Sequence, residues 1–291
     1  SPAAPPLPAV TRLPSVSAPP RPAINFGRYH ALVIGNNTYT ELSALKTPVH
    51  DAQAVAELLR TAYAFHVTLL TDASREDIIS ALDRFRSTLS AYDNLLIYYA
   101  GHGRLDASED RGYWLPVNAR PESRVQWVSN TTITDALKAM AAKHIMVVAD
   151  SCYSGTLVRG MEVLQSPPGT ERDTYLRRIA QKRSRTVLTS GNLEPVADSS
   201  GGSEHSVFAQ AFITALRDNQ DVLDGQQLFN LIRRPVILNA EQTPQYTDMR
   251  YAGHEGGDFL FVRRGGLQSQ AGGAPPALPG DTPATAPPTR H

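Results

Sequence analysis

His144-Ile145-Met146-Val147-Val148-Ala149-Asp150-Ser151-Cys152-Tyr153-Ser154-Gly155 is the stretch on which the reading of this chain turns. Its first half is a short apolar run rich in β-branched residues, the pattern of a strand buried on both faces. Its second half is small and polar, a strand end opening into a loop. In α/β folds the groups that do chemistry collect at such carboxyl ends, outside the sheet. Cys152 is the single cysteine of 291 residues. It has no partner for an internal disulfide and is a poor start for a metal site. A structural cysteine sits more often inside an apolar run. This thiol therefore calls for a base.

A second run supplies a candidate. Asn94-Leu95-Leu96-Ile97-Tyr98-Tyr99-Ala100 ends in Gly101-His102-Gly103, again a strand giving way to a loop. Two parallel strand ends can hold a thiol and an imidazole on one sheet edge whatever their separation in sequence. Glycines on both sides of His102 leave room for a substrate backbone.

Together these stretches resemble the caspase-like cysteine peptidases, and within them the metacaspases and their bacterial relatives. Tyr98-Tyr99-Ala100-Gly101-His102-Gly103 is similar to the family's histidine motif. Asp150-Ser151-Cys152-Tyr153-Ser154-Gly155 is similar to its Asp-Ser-Cys-x-Ser-Gly nucleophile motif. A histidine about 50 residues before the cysteine is itself a known caspase spacing. His30-Ala31-Leu32-Val33-Ile34-Gly35-Asn36 resembles the first strand and the turn after it, and the likeness runs from about residue 28 to about 264.

The resemblance implies a catalytic pair, Cys152 and His102. A free thiol with a pKa near ~8.5 is only slightly ionised at neutral pH, so the imidazole must take its proton and later protonate the leaving amine. The family assigns the oxyanion donors to the backbone N–H groups of Gly103 and Cys152. It also places Asp150, and Asp51 in Leu45-Lys46-Thr47-Pro48-Val49-His50-Asp51-Ala52, in the pocket for the substrate side chain before the cut. Two carboxylates suit a guanidinium or ammonium group and repel an aspartate. The implied substrates are proteins or peptides cut after Arg or Lys. The plainer alternative has Asp51 capping a helix and Asp150 bonding loop amides. Pro48 stands where the metacaspase pattern has a second cysteine.

Bulk properties exclude other classes. Lys+Arg and Asp+Glu balance at 28 each, and charged residues make up 19%. Nothing points to nucleic acid, and no apolar run reaches the length of a membrane span. Gly35-Asn36-Asn37-Thr38 carries neither a P-loop nor a dinucleotide fingerprint, and a Gly-x-Ser-x-Gly elbow is absent. No cofactor is expected. Calcium wants six to eight oxygen ligands. The stretch after the histidine motif offers only Asp106, Glu109 and Asp110, so no metal is expected either. His205 and His254 lack metal-ligand spacing.

Residues 1–24 and 265–291 are rich in Pro with Ala, Ser or Gly, and read as disordered tails or linkers. The start at Ser1 fits a mature form or an excised piece, and leaves the compartment open. Residues 25–264 suffice for one large α/β domain, a mostly parallel six-stranded sheet with helices on both faces. Strands are expected at 30–35, 65–71, 94–100, 144–149, 186–190 and 258–262. Helices are expected at about 48–62, 75–89, 132–142, 205–217 and 225–234. The part to about 155 would be a large-subunit part, 186–264 a small-subunit part, and 156–185 a polar linker open to self-cleavage near Arg177, Arg178 or Arg183. The chain is expected to act as a monomer. The competing reading is a caspase-fold binding module without activity.

Overall fold

A computed structural model describes residues 24–151, 170–191, 204–249 and 251–264. Both Pro-rich ends, Cys152 and the first part of the 156–185 segment, Arg159 included, lie outside these residues.

Strands and helices alternate as the sequence pattern requires. Arg28–Gly35 (β1) leads into Pro48–Tyr63 (α1), His66–Thr71 (β2), Arg75–Thr88 (α2) and Asp93–Ala100 (β3). Three short strands follow, Gly103–Asp106 (β4), Arg111–Trp114 (β5) and Val128–Ser129 (β6). Asn130–Ala139 (α3) and His144–Asp150 (β7) complete the first part. Then come Thr170–Gln181 (α4), Ser184–Thr189 (β8), Val207–Asp218 (α5) and Val222–Asp224 (β9). Gly225–Asn239 (α6), Gln245–Asp248 (β10) and Leu260–Val262 (β11) close the described chain. Local signals explain the helix starts. Pro48 occupies the first turn of α1, where its missing N–H costs nothing. Ser74 and Asp77 satisfy each other's backbone N–H groups in a capping box at α2.

The main sheet runs in the order β10-β8-β7-β3-β1-β2. All pairings are parallel except that of β10 with β8. Its two faces follow the period of two. Ala31, Val33, Leu96, Tyr98, Met146 and Val148 pack with α1 and α5. Leu32, Ile34, Leu95, Ile97, Tyr99, Ile145 and Val147 pack with α2 and α3. Burial of one such side chain contributes roughly 1.5–3 kcal/mol, and most of these are fully buried.

One expectation is corrected. The segment 258–262 does hold a strand, but Leu260–Val262 pairs antiparallel with β9 in a separate two-stranded ribbon. The sixth strand of the main sheet is Gln245–Asp248. This edge strand is polar and half-buried, so it lacks the apolar run that marks a central strand. Within the 156–185 segment, α4 and β8 begin. Arg185, in β8, is fully buried. Its guanidinium donates to the carbonyl oxygens of Leu137, Met140, Ala142, Lys143 and Ser184 at 2.7–3.3 Å. Five acceptors match its five N–H donors, which is what allows the charge to be buried. Burial still pulls its pKa down to about 9.

Candidate active site

The sheet sets the site by register. Gly35 pairs with Ala100, and Ala100 with Asp150, so β1, β3 and β7 end in one row. Strand order reverses between β1 and β3: β2 lies on one side of β1, while β3, β7 and β8 extend from the other. A crevice opens at such a switch point, between loops that leave in opposite directions. The loop after β1 and the loop after β3 meet there. Close packing holds them. A Cβ on Gly35 would lie 2.3 Å from the Pro48 carbonyl oxygen, and one on Gly101 would lie 2.7 Å from the Tyr39 hydroxyl.

His102 follows β3 directly and is half-buried. Its backbone N–H donates to Tyr39 Oη at 2.8 Å, and its ring lies 4.6 Å from the Tyr39 ring. Its carbonyl accepts from Tyr99 Oη at 2.7 Å and from the Leu115 N–H at 3.0 Å. Ring Nε2 lies 2.8 Å from the Ser43 backbone carbonyl oxygen. A carbonyl only accepts, so Nε2 must carry the proton, and the neutral ring then has its lone pair on Nδ1. An imidazole fixed in one tautomer by a third group is the arrangement a general base needs. Gly103 opens β4, in register with Trp114. Cys152 lies outside the described residues, one position past Ser151, which is buried at the end of β7.

The two aspartates come together on one face of the sheet. Asp150 ends β7 on the side of Val148 and Met146, facing α1 and α5, and is 2% exposed. Asp51, 1% exposed, turns inward from the first turn of α1. Ser206 links them. Its Oγ donates to Asp150 Oδ2 at 2.6 Å, and its N–H donates to Asp51 Oδ2 at 3.3 Å. Ser206 also caps α5 by accepting from the Ala209 N–H. The N-cap position of α1 is Thr47, whose side chain makes no cap hydrogen bond, and the Asp51 carboxylate bonds to groups at the start of α5. His205 Nδ1 donates to Asp51 Oδ1 at 2.6 Å.

Asp150 is pushed up to about 7, first by burial and then by the charge of Asp51, against the hydrogen bond from Ser206. Among the described residues its Oδ1 is buried without a hydrogen-bond partner, and so is the nearby hydroxyl of Tyr98. Burial and both carboxylates raise the Tyr98 phenol well above its ordinary range. A buried acceptor with no donor costs about 1–3 kcal/mol, and the Ser190 hydroxyl is a neighbouring group that also lowers the Asp150 pKa.

After the histidine motif, the carboxylates considered for calcium are engaged. Asp106 accepts from Ser108 and pairs with Arg124 at 3.0 Å. Glu109 pairs with Arg124 at 3.0 Å and with Arg111 at 3.2 Å.

Sequence reasoning missed Ser43, Tyr39 and Ser206. Ser43 acts through its backbone, which leaves no trace in residue type. Tyr39 sits in an irregular loop. Ser206 had a local signal, a serine just before an apolar run, but that signal announces a helix cap and not a link between aspartates 155 and 56 residues away.

Comparison with known proteins agrees with this architecture. The caspase domain family matches residues 28–252. Metacaspase-1 of Pyricularia oryzae is 26% identical over 284 residues, covering 75% of this chain and 71% of that protein. Metacaspase-1B of Aspergillus oryzae is 24% identical over 203 residues, 60% of this chain and 46% of its own length. Among solved structures, the Drosophila initiator caspase Dronc superposes with a TM-score of 0.56 at 12% identity, over 82% of this chain and 85% of that one. Caspase-1 from Spodoptera frugiperda gives 0.54 at 16% identity, over 83% and 94%. With the family matched over most of its described length, the chain belongs to the caspase domain family and is a cysteine-type endopeptidase of the hydrolase class.

Proposed function

We propose that this peptidase cuts after arginine or lysine through a Cys152–His102 pair. The observation that carries the specificity is the pair of buried carboxylates, Asp51 and Asp150, joined by Ser206. A guanidinium presents several N–H donors and a positive charge, which suit two neighbouring carboxylates. An aspartate would bring a third carboxylate. Charge pairing would return Asp150 to its ionised form on binding.

In the chemical step His102 Nδ1 takes the Cys152 proton. The thiolate attacks the carbonyl carbon, the oxyanion is held by the N–H groups of Gly103 and Cys152, and the imidazolium protonates the leaving amine. Water then hydrolyses the thioester with the imidazole again as base. The Ser43 carbonyl, through Nε2–H, keeps the ring oriented and stabilises its charged form.

Self-cleavage belongs to the same proposal, at a revised position. A peptidase needs extended substrate backbone. Arg177 and Arg178 are on α4, where Arg177 pairs with Asp173 at 3.0 Å, and Arg183 donates to the Met140 carbonyl at 2.7 Å. We therefore place the cut after Arg159. In proportion to 159 and 132 of 291 residues at 31.6 kDa, the pieces are about 17 and 14 kDa. They should stay associated, because β7 and β8 pair along one buried sheet.

The test is a peptide library read by mass spectrometry, with N-terminal sequencing of the incubated protein, for wild type and Cys152→Ala. Cleavage after Arg and Lys only, absent in the variant, is expected. Cleavage mainly after Asp or apolar residues refutes the pocket, and folded Cys152→Ala that still cuts refutes the nucleophile. Active wild type that stays intact, or is cut within α4, refutes the Arg159 site.

A further inference from the structure

Beside the aspartate pocket stand two histidines that the proposed reaction does not use. His50 precedes Asp51 on α1 and is exposed; His205 lies just before the cap of α5 and is half-buried. Their rings stack, 4.5 Å apart and 16° from parallel. Ligand atoms of His50, Asp51 and His205 all lie within 4.8 Å of one another. Each ring also has its tautomer fixed. His50 Nδ1 lies 2.9 Å from the Glu204 carbonyl oxygen, an acceptor, so Nδ1 carries the proton and Nε2 the lone pair. His205 Nδ1 donates to the Asp51 carboxylate at 2.6 Å, which again leaves the lone pair on Nε2.

This is the preparation that metal-binding histidines show: one nitrogen donating to a carbonyl or carboxylate, the other turned to the ion as a neutral base. The carboxylate behind His205 raises the basicity of its far nitrogen. Two imidazole nitrogens, with the Asp51 carboxylate behind one of them, suit a zinc-class divalent ion whose remaining positions go to water, and do not suit calcium.

We propose that His50 and His205, with Asp51, bind a divalent transition ion of the zinc class at the mouth of the specificity pocket, and that the ion competes with a basic substrate side chain. Competition rests on the reading of Asp51 as a pocket residue; metal binding does not. Asp51 is the shared group. As the partner of a ligating histidine it gives its charge to the ion, and a bound cation repels an incoming guanidinium. The three residues come from α1 and from the start of α5, 154 positions apart, which is why no spacing in the sequence announced them.

The experiment uses the full chain with Cys152→Ala, so that the thiol cannot take the ion. Cobalt(II) is titrated as a spectroscopic probe, and zinc affinity is read by competition with a chromogenic chelator. One equivalent is expected, with nitrogen and oxygen ligation in the visible spectrum. His50→Ala and His205→Ala should each weaken zinc at least tenfold. His50 is exposed, so its variant tests the site without disturbing the core, and a thermal melt confirms that both variants fold. Zinc affinity is then measured with and without agmatine, a guanidinium probe. A tenfold or greater mutual weakening supports the proposal. No stoichiometric binding, or binding unchanged in both histidine variants, overturns it. His-dependent binding that ignores agmatine overturns the competition. If, separately, the peptide library shows no preference for Arg or Lys, the pocket reading falls while histidine-dependent metal binding stands.

Discussion

Replacing Asp150 by asparagine separates what the pocket needs for function from what the fold needs for stability. The carboxyl is 2% exposed and pushed from its ordinary 3.8 to about 7. A folded-state pKa above the unfolded one means that this group favours folding at low pH. That contribution is fully present below about pH 4 and is lost as pH rises to about 7. Asparagine has the same shape and does not titrate. The stability of Asp150→Asn relative to the parent should therefore climb between pH 4 and pH 8. From 3.8 to about 7 is roughly three tenfold steps at ~1.4 kcal/mol each, a ceiling of about 4 kcal/mol. Relaxation and water entry lower such ceilings, and we expect about 2 kcal/mol. For a domain of this size that is roughly 4–8 °C in Tm. The assay is calorimetry at pH 4.5 and pH 8 with Cys152→Ala in both arms, which removes self-cleavage. Asp258, also pushed up to about 7, titrates in both arms and cancels. The same substitution, with Cys152 present, should cost at least 100-fold in kcat/KM for arginine substrates, since it removes one partner of a buried charge pair. A relative stability that is flat with pH, or that falls toward pH 8, would refute the reasoning.

Three further outcomes follow. His102→Ala should retain the fold and lose at least 1,000-fold in kcat with arginine substrates, as expected for removal of the general base of the proposed pair; activity within tenfold of wild type would dismiss the pair. Arg185→Met should unfold at a denaturant midpoint corresponding to a loss of about 3–5 kcal/mol, because five carbonyl acceptors lose their donors; a loss below ~1 kcal/mol would show that the buried guanidinium is not a structural tie. Activity in excess chelator should equal activity with added calcium, because Asp106 and Glu109 are held by Arg124 and Arg111; a tenfold drop on chelation would contradict this.

The sequence by itself determined the parallel core. The runs at 94–100 and 144–149 are apolar on both faces, and only a strand covered by helices on both sides tolerates that. It also placed His102 on a strand end and put Asp51 in a helix, since local pattern and cap chemistry act over a few residues. Polar elements escaped it. The edge strand Gln245–Asp248 has one wet face and one neighbour, and Leu260–Val262 has an apolar run but no place in the main sheet. The burial of Arg185 escaped it too, because sequence cannot show five carbonyls converging from α3, the loop after it and β8. The site was legible in its residue types and not in its connections. Tertiary structure alone brought the Ser43 carbonyl to Nε2 of His102, set Ser206 between Asp51 and Asp150, and stacked His50 on His205. Such links depend on strand order and on where helices land, and hydrogen bonds between distant residues leave no period in the chain.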